Sequence, residues 1–130
     1  MTADFSYLAY TAMLTAVLWI PYIVAQTATN GLLAPPNYVD PTPRPVPLWG
    51  QRAYRTHLNA VESFAPFAAL VIIAHVTGKA NAMTALWAMG FFWLRLTHAV
   101  VYLFAIPYVR TLVVTLGFVC VAGIFWEVIR

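Results

Sequence analysis

Four apolar runs, at roughly 5–27, 56–76, 82–104 and 108–129, take up most of this 130-residue chain. Each is close to the ~20 residues that an α-helix needs to cross ~30 Å of hydrocarbon. A single soluble domain of this size has no use for four helices that are apolar all round. Only 8% of the residues are charged, 62% are hydrophobic and the mean hydropathy is +0.77, so much of the surface must face lipid rather than water. The sequence predicts an all-α fold, an integral membrane four-helix bundle. It is one domain over 1–130, with helices at about 5–27, 51–76, 82–104 and 108–129 and a proline-rich loop at 30–50.

The first run is too long for a signal-peptide core and has Asp4 where a basic cluster would stand, so it is expected to be retained. Pro21 should kink it about one turn before its end. In the loop, Pro35, Pro36, Pro41, Pro43, Pro45 and Pro47 exclude helix and central strand. The loop is a stiff linker or a lid over whatever binds beside Arg52 and Arg55. Gly78 to Asn81 makes a tight turn, so the second and third helices are antiparallel neighbours. Arg44, Arg52, Arg55 and Arg110 belong to the ends joined by the first and third loops, whereas Lys79 and Arg130 lie on the other side. The positive-inside rule then puts those two loops in the cytoplasm and both termini across a multi-pass span, in a cell's inner membrane.

The second run is where the apolar pattern breaks. Arg52, Arg55, Asn59 and Glu62 are spaced three, four and three apart and share one helical face. A polar stripe that enters a membrane helix is expensive and faces a protein interior or a wet cavity. Pro66 should bend this helix, and His75 reads as its polar end. The third run carries Arg95, His98 and Tyr102, again on one face. Arg95 stands about nine residues, or ~14 Å, from the helix end. Glu62 lies at a similar depth on the neighbouring helix, so the two are expected to pair. The pair either fixes helix register or floors a cavity whose mouth is Arg52, Arg55, Asn59, His98, Tyr102 and Arg110. Arg110, with Thr111 beside it, either sets orientation or closes that cavity from above. Gly117 and Gly123 allow close helix packing, and Cys120, the single cysteine, reads as a buried inert thiol.

The chemistry is bounded by what is missing. His57, His75 and His98 lie at different ends or on different helices, so no metal set forms. There is no glycine-rich phosphate loop or serine elbow. The basic residues sit at membrane ends, which gives no nucleic-acid patch. Guanidiniums bind carboxylates in a forked geometry, and a lone carboxylate among them can take an ammonium. The ligand implied is a small zwitterion with an excess of carboxylates, held next to lipid.

Two strings then carry a family resemblance: Arg55-Thr-His57-Leu-Asn59-Ala-Val-Glu62-Ser-Phe-Ala-Pro66 and Arg95-Leu-Thr-His98-Ala-Val-Val-Tyr102, followed by Arg110. They resemble the MAPEG superfamily, the membrane-associated proteins of eicosanoid and glutathione metabolism, which includes microsomal glutathione transferases. The resemblance implies a homotrimer with glutathione bound between subunits near the cytoplasmic side. It also implies glutathione contacts from Arg55, Asn59, Glu62, His98 and Tyr102, a buried Arg95, an Arg110 near the thiol, and Thr111 where some members have a serine hydroxyl. Arg52 would join Arg55 in holding carboxylates, and Tyr102 or Thr111 would donate to the reacting centre. Two positions depart from the pattern. Leu58 stands where prostaglandin-synthase members have arginine, and no basic residue follows the first helix before Arg44. Both remove carboxylate contacts and argue against eicosanoid chemistry. The implied activity is glutathione conjugation or peroxide reduction on hydrophobic electrophiles. The alternatives are a non-catalytic membrane scaffold or accessory subunit that keeps the fold and, more weakly, a small transporter.

Overall fold

The computed structural model describes residues 1–31, 39 and 45–130. Pro35, Pro36, Pro41, Pro43 and Arg44, on which the linker-or-lid reading and part of the topology argument rest, lie outside the described residues.

Helices α1 (Ala3–Val17) and α2 (Trp19–Asn30) are two halves of one span. The ladder breaks at Leu18, earlier than the kink expected near Pro21. Proline has no N–H to give the carbonyl four residues back, here that of Val17, so the interruption falls one turn before the ring. Helix α3 (Leu48–Val76) runs unbroken through Pro66. It ends in a Schellman motif at Gly78, whose φ is 70°. There Gly78 N–H donates to His75 O at 3.1 Å and Lys79 N–H to Ala74 O at 2.8 Å. Helix α4 (Ala82–Leu103) opens on a capping box. The Asn81 side chain accepts from the N–H groups of Met83 and Thr84, and Thr84 Oγ1 accepts from Asn81 N–H. Helix α5 (Val109–Ile129) completes the set. The four candidate spans are Ala3–Asn30, Leu48–Val76, Ala82–Leu103 and Val109–Ile129. The protein is a multi-pass membrane protein built as an all-α four-helix bundle.

Helices α3 and α4 form the centre. α3 packs against every other helix, while α5 touches α3 and α4 but neither half of the first span. The main core is Phe67 and Val71 from α3, Ala88 and Phe91 from α4, and Cys120 and Ile124 from α5. The Phe67 and Phe91 rings stack at 4.1 Å. Gly123 lets the Trp87 indole lie against the α5 backbone, where a Cβ would collide with the ring; at Gly117, though it is buried, an added Cβ would meet no atom of the described residues within 4 Å.

The main core occupies the half of the bundle that holds the termini. That end is also tied by polar contacts. Asp4 Oδ2 lies 2.7 Å from His75 Nε2, and the Phe5 ring stacks on His75 at 3.7 Å. Thr84 Oγ1 donates to Asp4 at 3.3 Å. Asn81 Nδ2 donates to Glu127 at 2.8 Å, and Arg130 donates to the same carboxylate. His75 is thus more than a polar helix end: it joins α3 to the first turn of α1. Among the described residues the opposite half holds a smaller cluster of Leu18, Ala60 and Ala99.

Candidate functional site

Where the main core stops, α3, α4 and α5 part around a cleft of about 630 Å³. Helix α3 contributes Tyr54, Arg55, Leu58, Asn59 and Glu62, a single stripe at helical spacing. Helix α4 contributes His98 and Tyr102, one turn apart, and α5 contributes Arg110, Thr111, Val114 and Thr115. Seven residues singled out from the sequence therefore line one cavity: Arg55, Asn59, Glu62, His98, Tyr102, Arg110 and Thr111.

Their mutual positions are set locally. The His98 and Tyr102 rings are nearly parallel, with centroids 5.8 Å apart. The Arg110 guanidinium carbon lies 5.1 Å from the Tyr102 ring centroid, a cation–π contact that couples the start of α5 to the end of α4. Asn59 Oδ1 is buried on the cleft's α3 wall and has no hydrogen-bond partner among the described residues. A buried acceptor left open in this way is satisfied by a donor from outside.

Glu62 and Arg95 do not pair within the chain. Glu62 is exposed on the cleft wall. Arg95 is 7% exposed, and its Nη1 donates to Ser63 Oγ at 2.7 Å. Its Nη2 is buried without a hydrogen-bond partner among the described residues. The equal-depth argument chose the right turn of α3 but the wrong side of it. Successive residues are about 100° apart around a helix, and at this depth Ser63 is the one turned to α4. Arg95 is therefore set behind the cleft rather than in its wall.

Arg52 also stands apart. It lines an adjoining pocket of about 340 Å³ together with Tyr102, Arg110, Thr111 and the turn Ala105–Tyr108. Its Nε donates to Leu103 O at 3.4 Å. Leu58, singled out from the sequence as a departure from the family pattern, lies in the wall, and the wall residues missed by sequence reasoning are Tyr54, Val114 and Thr115. Tyr54 is one turn before Leu58 on the same stripe, and Thr115 is one turn past Thr111, so helical spacing could have found both. Apolar residues in an apolar run carry no such signal for Val114. Among the described residues no group of three His, Cys, Asp or Glu side chains gathers.

Comparison with known proteins gives one positive result: the profile of the MAPEG family matches residues 6–130. No curated protein and no solved structure matches the chain.

Proposed function

This chain belongs to the MAPEG family, and from that membership and the cleft between α3, α4 and α5 we propose a membrane-embedded glutathione transferase or peroxidase that acts on hydrophobic electrophiles dissolved in the bilayer. One observation carries the reading: two guanidiniums, one carboxylate, an open amide oxygen and two phenols line a single cavity. Glutathione has two carboxylates, one ammonium and one thiol, and one carboxylate, the ammonium and the thiol each have a counterpart there. Arg55 takes a carboxylate in forked geometry. Glu62 and the Asn59 oxygen take the ammonium. Arg110 stands by the sulfur, where a cation favours thiolate over thiol, and thiolate is the nucleophile. Tyr102 and Thr111 are the hydroxyl donors nearest that cation along the wall. In conjugation the sulfur forms a bond to the electrophilic carbon. The displaced pair leaves with its group or, in an addition, takes a proton from a hydroxyl.

Three copies would bring twelve spans together and screen the polar α3 stripe from lipid. The arginine-bearing loops would lie in the cytoplasm of a cell whose inner membrane holds the protein. Calorimetric titration of glutathione into the purified protein in detergent tests the reading. Saturable binding, weakened in Arg55→Ala, supports it, and no heat at millimolar glutathione sinks it.

A second reading has one observation in its favour. Leu58, 42% exposed, forms cleft wall where a cation would strengthen carboxylate binding. A scaffold or accessory subunit that keeps the fold without turnover would tolerate that loss. Binding without conjugating or peroxidase activity across a panel of apolar electrophiles would favour it.

A further inference from the structure

The pocket beside the cleft has a different charge composition. Arg52 and Arg110 both line it, with Tyr102 and Thr111, and among the described residues no carboxylate does. The cleft, with Glu62 in its wall, suits a zwitterion; this pocket suits a pure anion. Arg52 is oriented by its Nε bond to the Leu103 carbonyl, and its terminal nitrogens make no hydrogen bond among the described residues. Arg110 is held by the Tyr102 ring.

The remaining wall is the α4–α5 turn, and its backbone is strained at two positions. Ala105 has a φ of 56° and Tyr108 a φ of 69° with ψ −43°. The Val109 N–H closes a three-residue turn onto Pro107 O at 2.8 Å. Turns of this hand are rare at a residue other than glycine. Such strain concentrates at ligand clamps and similar sites, where surrounding structure over-determines it. Around the pocket Phe104 is 74% exposed, Ile106 45% and Tyr108 90%, at the point where two spans end. A site for a freely dissolved ion has no need of an apolar rim; a site for a headgroup with attached chains does.

We propose that the Arg52–Arg110 pocket is a phosphate-type oxyanion site that takes the headgroup phosphate of an anionic membrane lipid. Arg52 supplies a forked donor, Arg110 a second cation, and Thr111 a hydroxyl, while Phe104 and Ile106 lie along the acyl chains. The site does not depend on glutathione, so it stands or falls separately from the cleft assignment. Occupation would set an anion against Arg110, the cation shared by both cavities.

The test uses the full chain in neutral phosphatidylcholine micelles with phosphatidylglycerol added in steps, read by native mass spectrometry and thermal unfolding. Wild type should retain phosphatidylglycerol in preference to phosphatidylcholine. Arg52→Gln should weaken that retention by about tenfold, as expected for loss of one charge-assisted contact. Arg52→Lys should keep part of it, and Lys79→Gln, at the other membrane end, should change nothing. Ile106→Glu adds a carboxylate at an exposed rim position and should expel the lipid, which keeps the test decisive if Arg52→Gln folds poorly. Equal losses in Arg52→Gln and Lys79→Gln would show mere surface charge and overturn the site. Protection by inorganic phosphate equal to that by phosphatidylglycerol would overturn the lipid as its occupant.

Discussion

The Arg110 guanidinium lies 5.1 Å from the centroid of the Tyr102 ring, so a cation from α5 and a phenol from α4 form one unit at the cleft wall. The contact needs the ring and not the hydroxyl, and this separates two roles that would otherwise be confounded. Tyr102→Phe should keep Arg110 in position and leave the thiolate absorbance of bound glutathione intact, with turnover reduced only if the phenol donates a proton. Arg110→Ala should still bind glutathione through Arg55, Glu62 and Asn59. It should lose the thiolate absorbance and on the order of 10²-fold in conjugation rate, the usual cost of removing one preorganised electrostatic group. Arg55→Ala should behave the other way, losing binding first. If removing Arg110 leaves both absorbance and turnover unchanged in a protein that binds glutathione, the catalytic assignment is wrong.

Among the described residues Arg95 has one hydrogen bond, to Ser63, and one terminal nitrogen without a partner. Ser63→Ala should therefore destabilise the protein by about 1.5–3 kcal/mol, the range for a hydrogen bond to a charged group. Adding Arg95→Met should restore part of the loss, because it removes the stranded charge. Glu62→Gln, at an exposed position, should scarcely move the melting temperature in detergent. A large drop in Glu62→Gln with none in Ser63→Ala would mean that Arg95 is held by Glu62 after all, from a neighbouring subunit.

These cases show what the sequence could and could not resolve. Spans and axial depth follow from hydropathy and from a fixed rise per residue, so Arg55, Asn59, Glu62, His98, Tyr102 and Arg110 group by spacing, while Thr111 joins the reacting centre through the family resemblance. Direction around the helix axis was harder. One residue of error is about 100°, enough to exchange Ser63 for Glu62 as the partner of Arg95. Arg52 shares the α3 stripe but sits one turn nearer the helix start, where it lines the adjoining pocket with the α4–α5 turn rather than the cleft. The Asp4–His75 contact joins residues 71 positions apart in ends that look like ordinary polar termini, and no periodicity links them.

That contact predicts a local effect. Asp4 is buried, and its carboxylate meets His75 and Thr84. Asp4→Ala should release the first turns of α1 without opening the core around Phe67 and Phe91. Hydrogen exchange should quicken over residues 3–10 while α5 keeps its protection. His75→Phe retains a ring for Phe5 to stack on and should quicken exchange less. Uniform loss of protection in Asp4→Ala would show that the contact holds the whole bundle rather than its N-terminal end.

The last prediction concerns Ala105. Its N–H donates to Tyr102 O at 3.2 Å, and the next N–H, of Ile106, donates to Val101 O at 3.0 Å. These are the two bonds of a Schellman motif, and they put Ala105 at the position that favours glycine. Its φ of 56° sets its Cβ against the following carbonyl. Gly78 closes α3 in the same way with a φ of 70° and no Cβ. Ala105→Gly should relieve the crowding, and the greater freedom of glycine in the unfolded chain offsets part of the gain. The net effect should be stabilisation by about 0.5–1 kcal/mol, seen as a higher melting temperature in detergent. Glutathione affinity should hold, because the backbone path that carries Arg110 to Tyr102 is unchanged. Ala105→Val should do the reverse, since a β-branched side chain fits this conformation worse than alanine. If glycine destabilises, the backbone at Ala105 does not have the left-handed conformation, and the α4–α5 turn approaches Arg110 by another path.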